Sequence, residues 1–339
     1  MAEDVCRQLG RSLSIDQIAW LERQRTTNGC ELAARVMSLG RRRPNENATD
    51  RAADIHWLIR FHPSSHTAGS PFAYLNKRSH TSAYETAKQL WLHQCESENG
   101  QSPQVLGNAA AFFQVNEPQL AERLLRQAQS IDPANPQWNE RLSHLYSLSA
   151  RSSPHDESNR LARRSFIELE MAEQIRSVHS VELEDGDELR KLLIQIRTLP
   201  PRARAAFDAG EFAVAAKFAE ECLALAASPQ LPDFFQNDGN AIHHGHLVLG
   251  RIALRHGDVD RAKNHLIESG KTAGAPNLAS FGPNMSLAAE LLQRGERGCV
   301  LEYLQLCKGF WSLGGEKLAA WRAEIMSDRM PDFGANLDY

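Results

Sequence analysis

Apolar residues recur along this chain at three- and four-residue spacing, as in "RARAAFDAGEFAVAAKFAEECLAL" and "LVLGRIALRHGDVDRAKNHLIESG". That period gathers them on one face of a 3.6-residue helix, whereas the alternating Val, Ile, Thr and aromatic runs that mark strands hardly occur. The pattern predicts one or two helices within 12–38, around "SIDQIAWLERQ" and "CELAARVMSL". It predicts a helix pair over 50–62 and 82–96 with "HPSSHTAGSP" between, and a last helix from about Gly315 to Ser327. "GRRRPNENATD" reads as a loop, and the tail "MPDFGANLDY" as an irregular segment that folds back or binds. Trp321 is placed to cover the apolar end of a helix stack, as a terminal cap must.

Three segments can be laid over one another. Each is an apolar-rich helix, a glycine followed by an acid, and a second apolar-rich helix. The pairs are Gly210-Glu211, Gly257-Asp258 and Gly295-Glu296. A glycine there closes the first helix in a left-handed conformation. The acid then sits where the second helix dipole favours negative charge and where free amides need a cap. Five residues after each glycine stands a small residue, Ala215, Ala262 or Val300, which lets the two helices approach closely. A fourth copy, "LGNAAAFFQVNEPQLAERLLRQAQSIDP", has Asn116-Glu117 in place of Gly-acid, since asparagine is the next best left-handed residue. In it Ala121 takes the small position, Ala128 follows, and Asp132-Pro133 ends the helix. "NPQWNERLSHLYSLSA" begins a further pair, with "ESNRLARRSFIELEMAEQIR" as its second member.

These residues resemble the tetratricopeptide repeat (TPR), a helix–turn–helix unit of about 34 residues with a small-residue pattern of this kind. Leu249, Gly250, Gly257, Ala262 and Leu266 carry the resemblance, as do Ala109, Phe112, Ala121, Ala128 and Pro133, with Trp138 as an opening aromatic. Ala215 and Ala262 are 47 positions apart, and Ala262 and Val300 are 38 apart, so the loops between repeats are long. The resemblance spans roughly 103–310. It implies an all-α fold, an α-solenoid in which helix pairs wind into a right-handed superhelix with a concave, partner-binding face. The chain then divides into a helical N-terminal region (1–100), TPR-like repeats (101–312), and a capping helix with the C-terminal tail (313–339).

Composition narrows the function. The chain has 339 residues, 42% hydrophobic and 24% charged, with a net charge of -4. That balance fits a soluble globular protein and gives no reason to expect nucleic-acid binding. The apolar runs fall short of the roughly 20 residues that span a membrane. The first residues lack a signal-peptide core, so a cytoplasmic location is expected. The six cysteines form no C-x-x-C pair, and Cys222 and Cys307 fall on apolar helix faces as core residues. G-x-S-x-G, P-loop and H-E-x-x-H motifs are absent, and "GDVDRAKN" lacks the carboxylate spacing of a calcium loop. "GRRRP" and pairs such as Glu220-Glu221 read as solvated surface. No cofactor or metal is expected.

Two candidate binding regions remain. His244, Leu247, Arg251 and Arg255 lie close to one helical stripe on a first helix, the kind that lines the inner face, and Arg204 is the counterpart of Arg251 one repeat earlier. Arginine forks grip carboxylates, so this stripe suits an acidic protein or peptide. The alternative is that these arginines pair with acids on neighbouring helices. The loops "DFFQNDGN" and "NLASFGPN" form a possible rim, with Phe234, Phe235 and Phe281 as apolar contacts. Asn240 and Asn284 belong to the same rim or serve as helix caps. The expected function is a non-enzymatic interaction scaffold or adaptor. One other reading is an enzyme or a metal or ligand sensor that uses the His-rich region 243–265. A third is a self-assembling structural subunit.

Overall fold

The computed structural model describes residues 2–24, 30–41, 48–181, 188–232 and 238–337. Phe234, Phe235 and most of "GRRRPNENATD" lie outside the described residues. Among those described the chain is all-helical, with 17 α-helices and no strand. None of these helices is long and apolar enough to cross a membrane. The chain forms two compact units, residues 1–153 and 154–339.

The first unit holds α1 (Ala2–Arg11), α2 (Ile15–Gln24), α3 (Glu31–Arg41), α4 (Ala48–Phe61), α5 (Thr81–Glu96), α6 (Pro103–Phe113), α7 (Pro118–Ile131) and α8 (Gln137–Arg151). Helix α1 is not legible in the apolar pattern, because its two large apolar residues, Val5 and Leu9, are exposed. It is held instead by backbone proximity and polar contacts. A Cβ on Gly10 would stand 2.1 Å from the Met37 carbonyl oxygen, so α1 and α3 cross where only glycine fits. The Glu3 carboxylate accepts from the Ser65 hydroxyl and the Thr67 amide, each at 2.8 Å, and from the Thr67 hydroxyl. Burial raises the Glu3 pKa, but the bonds from Thr67 and Ser65 outweigh it and hold the group below its usual 4.5. Helices α6 and α7 form a hairpin around fully buried Ala121 and Ala128. Asn116 is not left-handed: among the described residues only Asp328 combines a side chain with positive φ. The Glu117 amide donates to the Phe113 carbonyl at 2.8 Å, and Pro118 starts the next helix.

The second unit holds α9 (His155–Val181), α10 (Glu188–Asp208), α11 (Phe212–Ala226), α12 (Gly239–Arg255), α13 (Val259–Gly270), α14 (Pro276–Phe281), α15 (Ser286–Gln293), α16 (Arg297–Cys307) and α17 (Gly315–Met326). The sequence pattern pairs α8 with α9, but the chain divides between them.

Three hairpins of the second unit turn in the same way. Gly210, Gly257 and Gly295 have φ of 83°, 81° and 85°. Each glycine N–H donates to the carbonyl three residues back: Phe207 (3.0 Å), Leu254 (3.1 Å) and Leu292 (2.9 Å). The N–H of the following acid reaches five residues back, to Ala206 (2.9 Å), Ala253 (2.9 Å) and Leu291 (3.0 Å). This is the Schellman pair of bonds, which satisfies carbonyls that a helix end leaves open. Of the three acids, Asp258 also caps the next helix, accepting from the Arg261 amide at 3.0 Å. Ala215, Ala262 and Val300 are fully buried at the helix contacts. Helix α12 packs on both α10 and α11, and α13 on both α15 and α16, so each hairpin rests on its neighbour.

At the end of the unit, Trp321 is buried beside Trp311 and Phe333. The tail folds back. Asn336 donates to the carbonyls of Phe281 (3.1 Å) and Pro283 (3.0 Å), and its own carbonyl accepts from the Met285 amide at 2.7 Å. Cys222 and Cys307 are buried core residues.

Candidate functional site

The histidines of region 243–265 point into separate environments. His243 is fully buried. Its Nε2 accepts from the Asn284 amide at 3.1 Å, so Nδ1 carries the hydrogen and donates to the Ser269 carbonyl at 3.0 Å. Both ring nitrogens are thereby used, and burial lowers its pKa to about 4. His246 and His265 meet between α12 and α13, Nδ1 to Nδ1 at 3.0 Å, so at least one of the two is neutral. Burial lowers both, His265 to about 4. Among the described residues no group of three or more His, Cys, Asp or Glu is arranged to hold a metal ion.

His244 faces elsewhere. It lines a pocket of about 620 Å³ walled by α10, the head of α12 and α14. Helix α10 contributes Ile196, Arg197, Pro200, Pro201 and Arg204, all on one face because their spacing follows the helical repeat. Asp238, Asn240 and His244 come from the start of α12, and Asn277, Leu278 and Phe281 from α14. Burial lowers the His244 pKa well below 6.5, with His243 and the Arg204 charge acting in the same direction, so its imidazole is neutral at pH 7. The pocket therefore combines two guanidinium groups, one carboxylate, two amides, a neutral imidazole and an apolar floor. Its size lies within the roughly 300–1,000 Å³ common for binding sites.

The expected basic stripe divides along α12. Arg204 and His244 meet in the pocket. Leu247 does not join them: it is buried in the core with Leu278 and Leu287. Arg251 stands about 10 Å further along the axis at 1.5 Å per residue. There it binds Glu290 at 2.9 Å and Asp208 at 3.5 Å, and stacks 4.1 Å above the Phe207 ring. Arg255 reaches the same Glu290 oxygen at 3.9 Å and the same ring at 5.6 Å. Two cations and two anions offset one another, which is the pairing with neighbouring acids that stood as the alternative.

At the rim, Phe281 is 63% exposed over the pocket. Asn240 is not the cap of α12. Asp238 takes that role, accepting from the Ala241 amide at 2.9 Å, and Asn240 lines the pocket from the first turn. Asn284 is buried, and its Oδ1 accepts from the Ser286 amide at 2.9 Å and hydroxyl at 2.6 Å as α15 begins. The cap position of α15 is Met285, so Asn284 is neither the cap nor on the rim but a buried turn residue just before the helix. The sequence reading missed Ile196, Arg197, Pro200, Pro201, Asp238, Asn277 and Leu278. Its first repeat segment begins at Arg202, whereas α10 runs unbroken through both prolines from Glu188. The tandem proline was the available signal. No protein-family model matches the chain, and no curated protein matches its sequence.

Proposed function

We propose that the chain is a TPR-like right-handed superhelix acting as a non-enzymatic interaction module, a scaffold or adaptor whose concave face takes a peptide segment of a partner protein. The observation that carries the reading is the pocket, where Arg204, His244, Asn240 and Phe281 converge from first helices and the rim beside them. The repeated glycine turns, the small residue five positions on and the stacking of each hairpin on its neighbour support the repeat architecture. The dispersal of the histidines weighs for a scaffold over a metal or catalytic centre, since general acid–base or metal chemistry needs its groups within reach of one point. A cytoplasmic setting without cofactor fits the motif-poor sequence.

The test is affinity capture from the native host with the wild-type chain, Arg204→Glu and Arg255→Glu. A partner held by wild type and Arg255→Glu but lost from Arg204→Glu supports the pocket as its seat. Identical capture by all three variants refutes it. Light scattering after size exclusion separates this reading from a self-assembling subunit, which would elute as a defined oligomer.

A further inference from the structure

The segment after α17 closes a junction that carries part of the pocket wall. Helix α14 supplies Asn277, Leu278 and Phe281 to the pocket and is only six residues long. A helix leaves its last carbonyls without helical donors. Here Gly282 follows at a φ of 90°, so close to the Trp311 ring that a Cβ would stand 2.4 Å from it, and the chain resumes as α15 at Ser286. One residue of the tail closes this junction. The Asn336 side-chain amide donates to the carbonyls of Phe281 (3.1 Å) and Pro283 (3.0 Å), and its main-chain carbonyl accepts from the Met285 amide at 2.7 Å. Helix α12 reaches the same junction, where His243 accepts from the Asn284 amide at 3.1 Å. The tail itself is fastened at few points. Residues 327–330 are exposed, as are Asp332, Gly334, Ala335 and Leu337. Beyond Pro331, only Phe333 and Asn336 are buried, Phe333 with its ring edge-on to Trp321. The Trp321 indole N–H donates to the Asp332 carbonyl at 3.1 Å.

We propose that the tail is a releasable clip that controls the pocket through its rim. With Asn336 seated, α14 is held in the binding arrangement; with Asn336 withdrawn, α14 loosens and the pocket loses affinity for its occupant. The inference rests on the pocket being the seat of a partner, as read above, and adds the device that governs it. The tail follows α17, so it can part from the fold without unwinding any helix, as the least stable segments of a protein do. Its departure would take two donors and one acceptor from the main chain between Phe281 and Met285. A rim already held in place spares an occupant the cost of ordering it. Such coupling is reciprocal, so an occupant resting on Asn277, Leu278 and Phe281 also fastens the tail more tightly.

The test compares wild type, Asn336→Ala and Phe333→Leu by hydrogen exchange with mass spectrometry and by affinity capture from the native host. Asn336→Ala removes both side-chain donors and keeps the backbone. Exchange over 276–285 should become about tenfold faster, as expected for the loss of one or two modest hydrogen bonds, while 250–262 around the Gly257 turn keeps its wild-type rate. Phe333→Leu loosens the other anchor and should give an intermediate rise; it keeps the test open if Asn336→Ala misfolds. Both variants should retain less partner than wild type, in the same order. Unchanged exchange over 276–285 overturns the proposal. So does an equal rise across the whole second unit, because Asn336 would then serve only general stability. Faster local exchange with undiminished capture overturns control of the pocket where Arg204→Glu loses the partner. If Arg204→Glu keeps the partner as well, the pocket reading itself has failed, and the proposed control falls with it.

Discussion

Acid should unfold the second unit by protonating His243, and the size of the effect follows first from the burial of its ring. In the folded chain Nδ1–H donates to the Ser269 carbonyl and the Nε2 lone pair accepts from the Asn284 amide. A proton on Nε2 would set two N–H groups against each other across 3.1 Å, in a site without water access. The fold therefore holds the ring neutral, with a pKa near 4 against an ordinary 6.5. The unfolded chain binds this proton as pH falls below 6.5, while the folded chain resists it until about 4. Stability is thus complete above pH 6.5 and drains away between 6.5 and 4. A difference of 2.5 in pKa, at 1.36 kcal/mol each, amounts to about 3 kcal/mol. Urea denaturation of wild type and His243→Gln at pH 7.5, 6, 5 and 4 measures it. Glutamine keeps one of the two bonds, so the variant should start about 1–3 kcal/mol less stable at pH 7.5. Its loss toward pH 4 should be smaller than that of wild type by about 3 kcal/mol, bringing the two curves close together. His265 does not feel the His243 charge and drops out of the difference, whereas His244 and His246 couple to His243 and contribute to it. Parallel curves would refute the argument.

Two further perturbations test the frame. Gly257 and Gly282 both have positive φ, but a Cβ on Gly257 meets nothing within 4 Å, whereas one on Gly282 stands 2.4 Å from the Trp311 ring. Gly257→Ala should destabilise by about 1 kcal/mol and Gly282→Ala by about 3 kcal/mol in chemical denaturation; equal costs would contradict the packing drawn around Trp311. Arg251→Glu would gather three carboxylates at the Phe207 ring, so it should lower stability by about 1–2 kcal/mol yet leave the affinity for a partner captured at the pocket unchanged. A large affinity loss at constant stability would return Arg251 to the binding surface.

How much of this was legible beforehand depends on which physical signal each feature leaves in sequence. The hairpin turns were legible because a left-handed helix end needs glycine and the close crossing after it needs a small side chain. Both demands act on single positions and recur at Gly210, Gly257 and Gly295. Asn116 was misjudged by the same logic, since Pro118 lets that turn close without a left-handed residue. Helix α1 leaves no apolar stripe, because a glycine crossing and the Glu3 carboxylate hold it. The pocket was half legible. Helical spacing placed His244 and Arg251 on one stripe, but angle alone does not locate acids on other helices. Only the fold brings Asp208 and Glu290 to Arg251 and leaves His244 beside Arg204. The tandem proline misled in the opposite sense. Its missing donors usually end a helix, and here α10 continues past them. Both prolines line the pocket. The local rule that fails in α10 is therefore the one that marks the pocket wall.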